Sequence, residues 1–534
     1  MTAVPQPQSE SDAPARSAPP GTSAPRDRWW RSGWALIAGL ALLKLLIHLY
    51  ANRGYGYFRD ELYYFACGEH LDWGYVDQPP MVALAAWLSR KLLGDSLAAV
   101  RFLPALAGAL KVALTGLIAH ELGARRFGMG LACLAAIIAP IYLGTDNFLS
   151  MNAFEPVFWM GSACVLVRIL KGADPRLWLL FGLLAGLGLE NKHSTLFFGF
   201  GIFLGLLLTS ARRWLASPWT WLGGLVSFLV FLPNLIWEYR HHWATLELLS
   251  NIQHSAKNSP VTFWSFLSAQ AVMFMLATAL WLPGLGWLLF SRDGRPYRAL
   301  GWAWVVMLAT FVILRGKIYY LAPAYPMLLA AGALLLERWA GGPRRNWLKP
   351  ASVVLFLVTG AVGAPFVLPI LPVETYLRYA EFMHFQPPRT ESFRLGKLQQ
   401  QYADMFGWPE MAQVVARAYN QLSPQDKQRC GIFAQNYGQA GAIDFFGAKY
   451  GLPRAISGHQ NYYLWGPQEY TGECLIVMDD RREVLETEFE YVEQVGMVHH
   501  DYAVPYENDK PVFLVRGPKF GTLQDIWPKL KKWR

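Results

Sequence analysis

Charge is scarce in this chain: 16% of its 534 residues are Asp, Glu, Lys or Arg, against roughly 25% in an ordinary soluble domain. Hydrophobic residues make up 53% and aromatics 15%, and the mean hydropathy is +0.20. That balance argues against a wholly soluble protein and for a membrane protein with a soluble part. Also missing is a continuous basic patch. The net charge of +10 is divided among short clusters between apolar runs, so nothing tracks a nucleic-acid backbone and no nucleic-acid partner is expected. The five cysteines, Cys67, Cys133, Cys164, Cys430 and Cys474, form no C-x-x-C pair and show no metal-ligand spacing, which argues against a structural zinc site. No internal repeat with interrupted helices is visible, as a secondary transporter would show. Nothing calls for a nucleotide or redox cofactor.

What is present begins with a Pro-, Ser- and Ala-rich segment over 1–28, too polar to bury enough surface to offset ordering, and expected to be a disordered cytoplasmic tail. Residues 29–372 form the membrane domain in this reading. Apolar runs near the roughly 20 residues needed to cross a bilayer recur at 34–50, 97–119, 128–145, 153–170, 177–191, 194–210, 219–237, 263–290, 299–314, 318–337 and 350–371. This predicts an α-helical polytopic protein with about eleven transmembrane helices. The first run follows Arg26, Arg28 and Arg31 but lacks a small-residue cleavage site, so it reads as an uncleaved span.

Alternating the breaks between two sides gathers Arg125-Arg126, Arg168/Lys171/Arg176, Arg212-Arg213, Arg292/Arg295/Arg298 and Arg338/Arg344/Arg345/Lys349 on the side of the N-terminal arginines. By the positive-inside rule that side is cytoplasmic. The opposite, periplasmic side receives the long first loop 51–96, the turn Asn147 to Asn152, the loop 238–262, the Arg315-Gly316-Lys317 turn, and residues 373–534. Those last residues have balanced charge and short β-rich runs (Gly431–Ala434, Leu475–Met478, Val512–Val515), which predict a periplasmic soluble α/β domain. Cys430 and Cys474 each open a predicted strand; a disulfide and two buried free thiols are both open readings.

Ionisable residues on the outer side concentrate in the first loop, as Arg59-Asp60-Glu61-Leu62-Tyr63-Tyr64 and Tyr75-Val76-Asp77-Gln78-Pro79-Pro80. A carboxylate at a membrane face can deprotonate an acceptor or hold a divalent cation against a phosphate leaving group; it can equally cap an interfacial helix. The second outer element runs from Asp146 through Asn152 to Glu155-Pro156. An acid at the start of a span is costly unless paired or functional. Glu190-Asn191-Lys192-His193 and Arg315-Gly316-Lys317-Ile318-Tyr319-Tyr320 place cations on the side where basic residues are otherwise few. That points to an anionic ligand such as a lipid-linked phosphate, with snorkelling to headgroups as the alternative. Lys44, His48 and Lys111 lie in or near spans and are assigned to helix packing or snorkelling. His241-His242 and His254 are read as loop surface.

Taken as a set, several motifs resemble one family. They are Asp60-Glu61 after the first span, Pro79-Pro80 about twenty residues on, the polar turn before the fourth span, Gly186-Leu187-Gly188-Leu189-x-x-Lys192, and Lys317-x-Tyr-Tyr-Leu-x-Pro-x-Tyr-Pro326. Together they look like the polyprenyl-phosphate-sugar glycosyltransferases, which include protein O-mannosyltransferases and lipid A aminoarabinose transferases and have the multi-span GT-C fold. The likeness covers about residues 34–340. It implies an inverting transfer from an undecaprenyl-phosphate type donor to a lipid, glycan or protein acceptor at the outer face of a bacterial inner membrane; a transporter or flippase of lipid-linked sugars is the alternative. Asp60 and Glu61 are the expected catalytic pair, with Arg59, Lys192, Arg315, Lys317, Tyr319 and Tyr320 on the donor phosphate. Tyr63, Gln78, Asn152 and Glu155 would shape the acceptor side, and Asp77 is a candidate ligand for a divalent metal. Two departures stand out: Gln78 replaces a Lys of the aminoarabinose transferases, and Asn152 replaces an Asp carried by many members, so that either Glu155 or Asp146 substitutes for that carboxylate or the site differs in metal use.

Overall fold

The computed structural model describes residues 32–254, 262–386 and 396–533; the tail expected over 1–28 lies outside them. Eight helices among these residues are long and apolar enough to cross a membrane: Gly33–Ala51, Leu97–Glu121, Met151–Leu170, Pro218–Arg240, Phe263–Phe290, Arg295–Ile313, Ile318–Trp339 and Pro343–Phe366. Each of the remaining three expected segments also falls on helix, with a difference. Helix Leu177–Asn191 has 15 residues, about 22 Å at 1.5 Å per residue, short of a bilayer core of about 30 Å. Thr195–Leu207 is followed by Ser210–Ala216 at a bend of 112°. The run 128–145 is two helices, Arg126–Ile138 and Pro140–Thr145. Pro140 has no N–H to donate and disfavours the helical region at the residue before it, and Ala139 accordingly sits at ψ 119°.

The two expected ends of the bundle are distinct. At the basic end, Lys171 pairs with Glu121 at 2.6 Å, Arg338 with Asp293 at 2.6 Å, and the backbone of Arg125 donates to Glu337. At the other end the first loop, the 146–152 turn, the 190–194 turn and the 317–320 segment converge. Helices approach closely where side chains vanish. A Cβ added at Gly182 would lie 1.9 Å from the Gly223 carbonyl oxygen, so Leu177–Asn191 and Pro218–Arg240 pack backbone to backbone.

Beyond Pro372 a five-stranded sheet runs in the order β2-β1-β3-β5-β4, with β1 Cys430–Phe433, β2 Ala455–Ile456, β3 Cys474–Met478, β4 Phe489–Val498 and β5 Lys510–Pro518. β1 pairs in parallel with both β2 and β3, while β5 is antiparallel to β3 and β4. Cys430 and Cys474 are register partners and form a disulfide. The domain is packed onto the first loop: Leu62, Tyr63 and Phe65 share one buried apolar cluster with Ile432, Ala440, Ile443 and Ile476. The seam is tight, since a Cβ on Gly441 would stand 2.7 Å from the Leu62 carbonyl.

Candidate active site

The first loop opens with helix Arg59–Glu69, and its first turn holds two acids with opposite surroundings. Glu61 is fully buried. It receives both Nε (2.9 Å) and Nη2 (2.7 Å) of Arg101, the Leu149 N–H at 2.8 Å and the Phe58 N–H at 2.8 Å. The last of these is the return half of a capping box, Glu61 reaching back to the N-cap N–H, and together the bonds fasten the first loop to the 146–152 turn. With both oxygens engaged and no solvent contact, Glu61 reads as scaffold, which revises the expectation of a catalytic role. A buried bidentate pair of this kind costs about 3–5 kcal/mol when one partner is removed.

Asp60 faces the other way, its side chain 29% exposed. The Tyr437 hydroxyl donates to Oδ1 at 2.8 Å, and Arg59 Nε approaches the same oxygen at 3.6 Å. Beside it, the Tyr63 hydroxyl donates to Asp77 Oδ1 at 2.9 Å. Burial, reinforced by the neighbouring Asp60 charge and opposed by the Tyr63 hydrogen bond, pushes the Asp77 carboxyl up to about 7. The rings of Tyr63 and Tyr437 lie 4.8 Å apart, so two carboxylates and two tyrosines form one cluster between the first loop and the C-terminal domain.

Arg59 does not point toward a phosphate site. Its guanidinium donates to Tyr506 at 2.5 Å, lies 3.9 Å from Asp404, and sits over the rings of Tyr437 and Tyr506. It anchors the domain instead, a second revision. Gln78 is the third: it is fully buried, exchanges backbone hydrogen bonds with Tyr75, and directs its amide nitrogen to Cys67 Sγ at 3.9 Å.

The remaining expected residues gather beside the 146–152 turn. Lys192, just past helix Leu177–Asn191, is held extended and donates to Asn152 Oδ1 (2.8 Å) and Glu155 Oε2 (3.0 Å). The Ser194 hydroxyl holds the other Glu155 oxygen. The Lys192 ammonium lies 4.6 Å from the Tyr320 ring centre and 5.6 Å from that of Tyr319, within cation–π range; Lys317 lies 6.0 Å from the Tyr319 ring. A small opening is lined by Asn152, Glu155, Pro156, Tyr142, Tyr319 and Pro323. Lys317 and Arg315 are exposed at its margin in sequence, and Arg315 adopts φ 53°.

Asp146 does not stand in for the replaced aspartate. Its carboxylate is completely buried between Lys44 (3.1 Å) and Lys111 (2.6 Å), so those lysines neither snorkel nor merely pack. Glu155, one turn after Asn152, is the acid that reaches the opening. Sequence reasoning missed Arg101, Ser194 and Tyr437. For Tyr437 a signal existed in Tyr437-Gly438-Gln439-Ala440-Gly441-Ala442, whose small residues mark a helix in close contact.

Among the described residues no group of three or more His, Cys, Asp or Glu side chains is arranged to hold a metal. Asp60 and Asp77 are carboxylates of the type that Mg²⁺ accepts when substrate phosphate and water complete its shell.

Known proteins resemble this chain in sequence and in fold. The family model described as dolichyl-phosphate-mannose-protein mannosyltransferase matches residues 77–237. The lipid A galacturonosyltransferase RgtD of Rhizobium johnstonii is 26% identical over 42% of this chain and 47% of its own length. The undecaprenyl phosphate-alpha-4-amino-4-deoxy-L-arabinose arabinosyl transferase of Aeromonas hydrophila is 28% identical over 52% of this chain and 54% of its own. The chain thus spans about half the length of these curated relatives. The crystal structure of ArnT from Cupriavidus metallidurans bound to undecaprenyl phosphate superposes with a TM-score of 0.59 at 15% identity, covering 91% of this chain and 98% of that one; the fold is shared. The resemblance expected from the motifs, to glycosyltransferases that use polyprenyl-phosphate-linked sugars, is borne out, as are the multi-pass helical fold and the C-terminal sheet domain.

Proposed function

We propose that this chain is an inverting glycosyltransferase that takes a sugar from a polyprenyl-phosphate donor of the undecaprenyl type and gives it to a lipid, glycan or protein acceptor at the periplasmic face of an inner membrane. The observation that carries the reading is a half-open carboxylate, Asp60, on the end of the bundle where Lys192 lies against the rings of Tyr319 and Tyr320. A transporter has no need for that combination. The C-terminal domain belongs on the outer side in this reading, supported by the disulfide, which persists in oxidising compartments, and by the basic residues gathered at the opposite end.

In the reaction, the donor phosphate lies against Lys192 with Tyr319 and Tyr320 beside it, and Lys317 and Arg315 add positive charge at the rim. The acceptor O–H or N–H approaches the anomeric carbon from the face opposite the phosphate. Its lone pair forms the new bond to that carbon while the carbon–oxygen bond to phosphate breaks, and the bonding pair leaves on the phosphate oxygen. The acceptor proton passes to Asp60 and then to solvent. Charge developing on the leaving phosphate meets a fixed ammonium. A divalent cation, if bound, would be held by Asp60 and Asp77 and would neutralise phosphate charge; no step above depends on it.

The test is transfer of radiolabelled sugar from a panel of undecaprenyl-phosphate-linked donors to envelope extract, with wild type beside Asp60→Asn. We expect label with wild type and a loss of about 10²-fold or more in the variant, with membrane insertion unchanged. Transfer by Asp60→Asn at the wild-type rate would remove Asp60 from the base role.

A further inference from the structure

We infer that the C-terminal domain supplies a positioning residue to the reaction centre: Tyr437, whose hydroxyl orients the Asp60 carboxylate. The inference rests on the transferase reading above. Both contacts of that carboxylate, the Tyr437 hydroxyl at 2.8 Å and Arg59 Nε at 3.6 Å, fall on Oδ1. Oδ2 accepts no hydrogen bond among the described residues, and the side chain keeps 29% of its surface in contact with solvent. One oxygen is therefore tied and the other left for an acceptor proton, which is the division a positioned base requires.

Tyr437 can serve because it is itself held. It is the first residue of helix Tyr437–Gly447, which follows β1 and is capped by Asn436 Oδ1 on the N–H groups of Gly438 and Gln439. Its backbone N–H donates to His459 Nδ1 at 3.1 Å, its ring stacks on His459 at 5.0 Å, and the Tyr63 ring lies 4.8 Å from its own. The residues around it come from the carboxyl ends of β1 and β2, the parallel strands whose ends form the crevice in open α/β sheets. That edge of the domain meets the first-loop carboxylates, and the close approach of Gly441 to Leu62 leaves little play in the joint.

The experiment compares full-length wild type, Tyr437→Phe and Tyr462→Phe, all checked as monodisperse. Tyr462 donates its hydroxyl to Asp444 at 2.6 Å inside the same domain, so its variant reports loss of a domain hydroxyl without loss of the Asp60 contact. Two readouts are taken: steady-state transfer, and carbodiimide-coupled amine labelling of Asp60 and Asp77 followed by peptide mass spectrometry. For Tyr437→Phe we expect kcat to fall about tenfold or more, the size typical of losing an orienting partner, with the donor KM within about twofold. Asp60 labelling changes severalfold and Asp77 labelling does not. Tyr462→Phe should match wild type in both. Wild-type kcat and unchanged Asp60 labelling in Tyr437→Phe would overturn the proposal. Absence of transfer by wild type, with Asp60 labelling still altered by Tyr437→Phe, would instead overturn the transferase reading while supporting the tyrosine's hold on the carboxylate.

Discussion

The charges in the interior of the bundle and those at its rim obey different rules. Glu61 with Arg101, and Asp146 with Lys44 and Lys111, are sealed from solvent, and in each the carboxylate oxygens are occupied by cations or N–H groups. At the rim, Asp60 keeps an open oxygen and Lys192, although paired with Glu155, keeps 13% of its side chain exposed and a face toward the aromatic opening. Burying a charge is costly unless it is paired and hydrogen-bonded, and the two interior acids meet that condition even though Arg101 Nη1 has no hydrogen-bond partner among the described residues. Near water an open oxygen such as that of Asp60 is cheap to keep and able to meet a ligand.

The largest effect should come from breaking the interior. Glu61→Gln leaves Arg101 uncompensated and should cost about 3–5 kcal/mol, read as a collapse of monodisperse yield and a lower unfolding midpoint. The double replacement Glu61→Leu with Arg101→Met removes both charges and should recover most of that loss; failure to recover would mean that the Phe58 and Leu149 hydrogen bonds, not the ion pair, dominate. At the rim, Lys192→Met should instead raise the donor KM by about tenfold, equivalent to about 1.4 kcal/mol, while lowering the unfolding midpoint less than Glu61→Gln. A KM at the wild-type value would place the phosphate elsewhere.

A smaller effect sharpens the contrast from the C-terminal domain. Glu507 is buried, met by the amides of Asn436 and Gln439 at 2.8 Å each, and no cation among the described residues lies within ion-pair distance. Burial pushes its carboxyl up to about 7, above an unfolded value of about 4.3. The folded state therefore retains a proton that the unfolded state releases. The stability this contributes is complete below about pH 4 and is lost as pH rises through about 7. Wild-type unfolding midpoints should fall across that window, and Glu507→Gln should flatten the slope; equal slopes would show that the carboxylate is solvated when it ionises.

Much of the fold was legible because apolar run length is a direct readout of bilayer thickness: seven of the eight helices of crossing length were expected to within about four residues at each end, and Pro343–Phe366 lies five to seven residues before the expected 350–371. Where legibility failed, the cause was local. The 128–145 run hides Pro140, which ends one helix and starts another without interrupting hydropathy. β4, Phe489–Val498, was not expected, because an edge strand carrying Glu490 and Glu493 has no continuous apolar run. In the site, Asp60, Asp77, Asn152, Glu155 and Lys192 were visible as polar residues at span ends. Arg101 was not, since it opens an apolar run and looks like a flank. Nor could spacing show that Asp60 and Glu61, adjacent in sequence, diverge in role; adjacent helical positions point in different directions, and here one direction leads to Arg101 and the other to a tyrosine 377 positions away.

The Cys430–Cys474 bond joins β1 to β3 at the heart of the sheet, and, with the domain on the outer side as proposed, would record the chain's route through biogenesis. A copy inserted in the inverse orientation would leave that domain among cytosolic reductants and both sulfurs as thiols. The two topologies would differ in mass by two hydrogens and in their response to alkylation, so a count of reactive thiols on the newly made protein reports which way each molecule entered the bilayer.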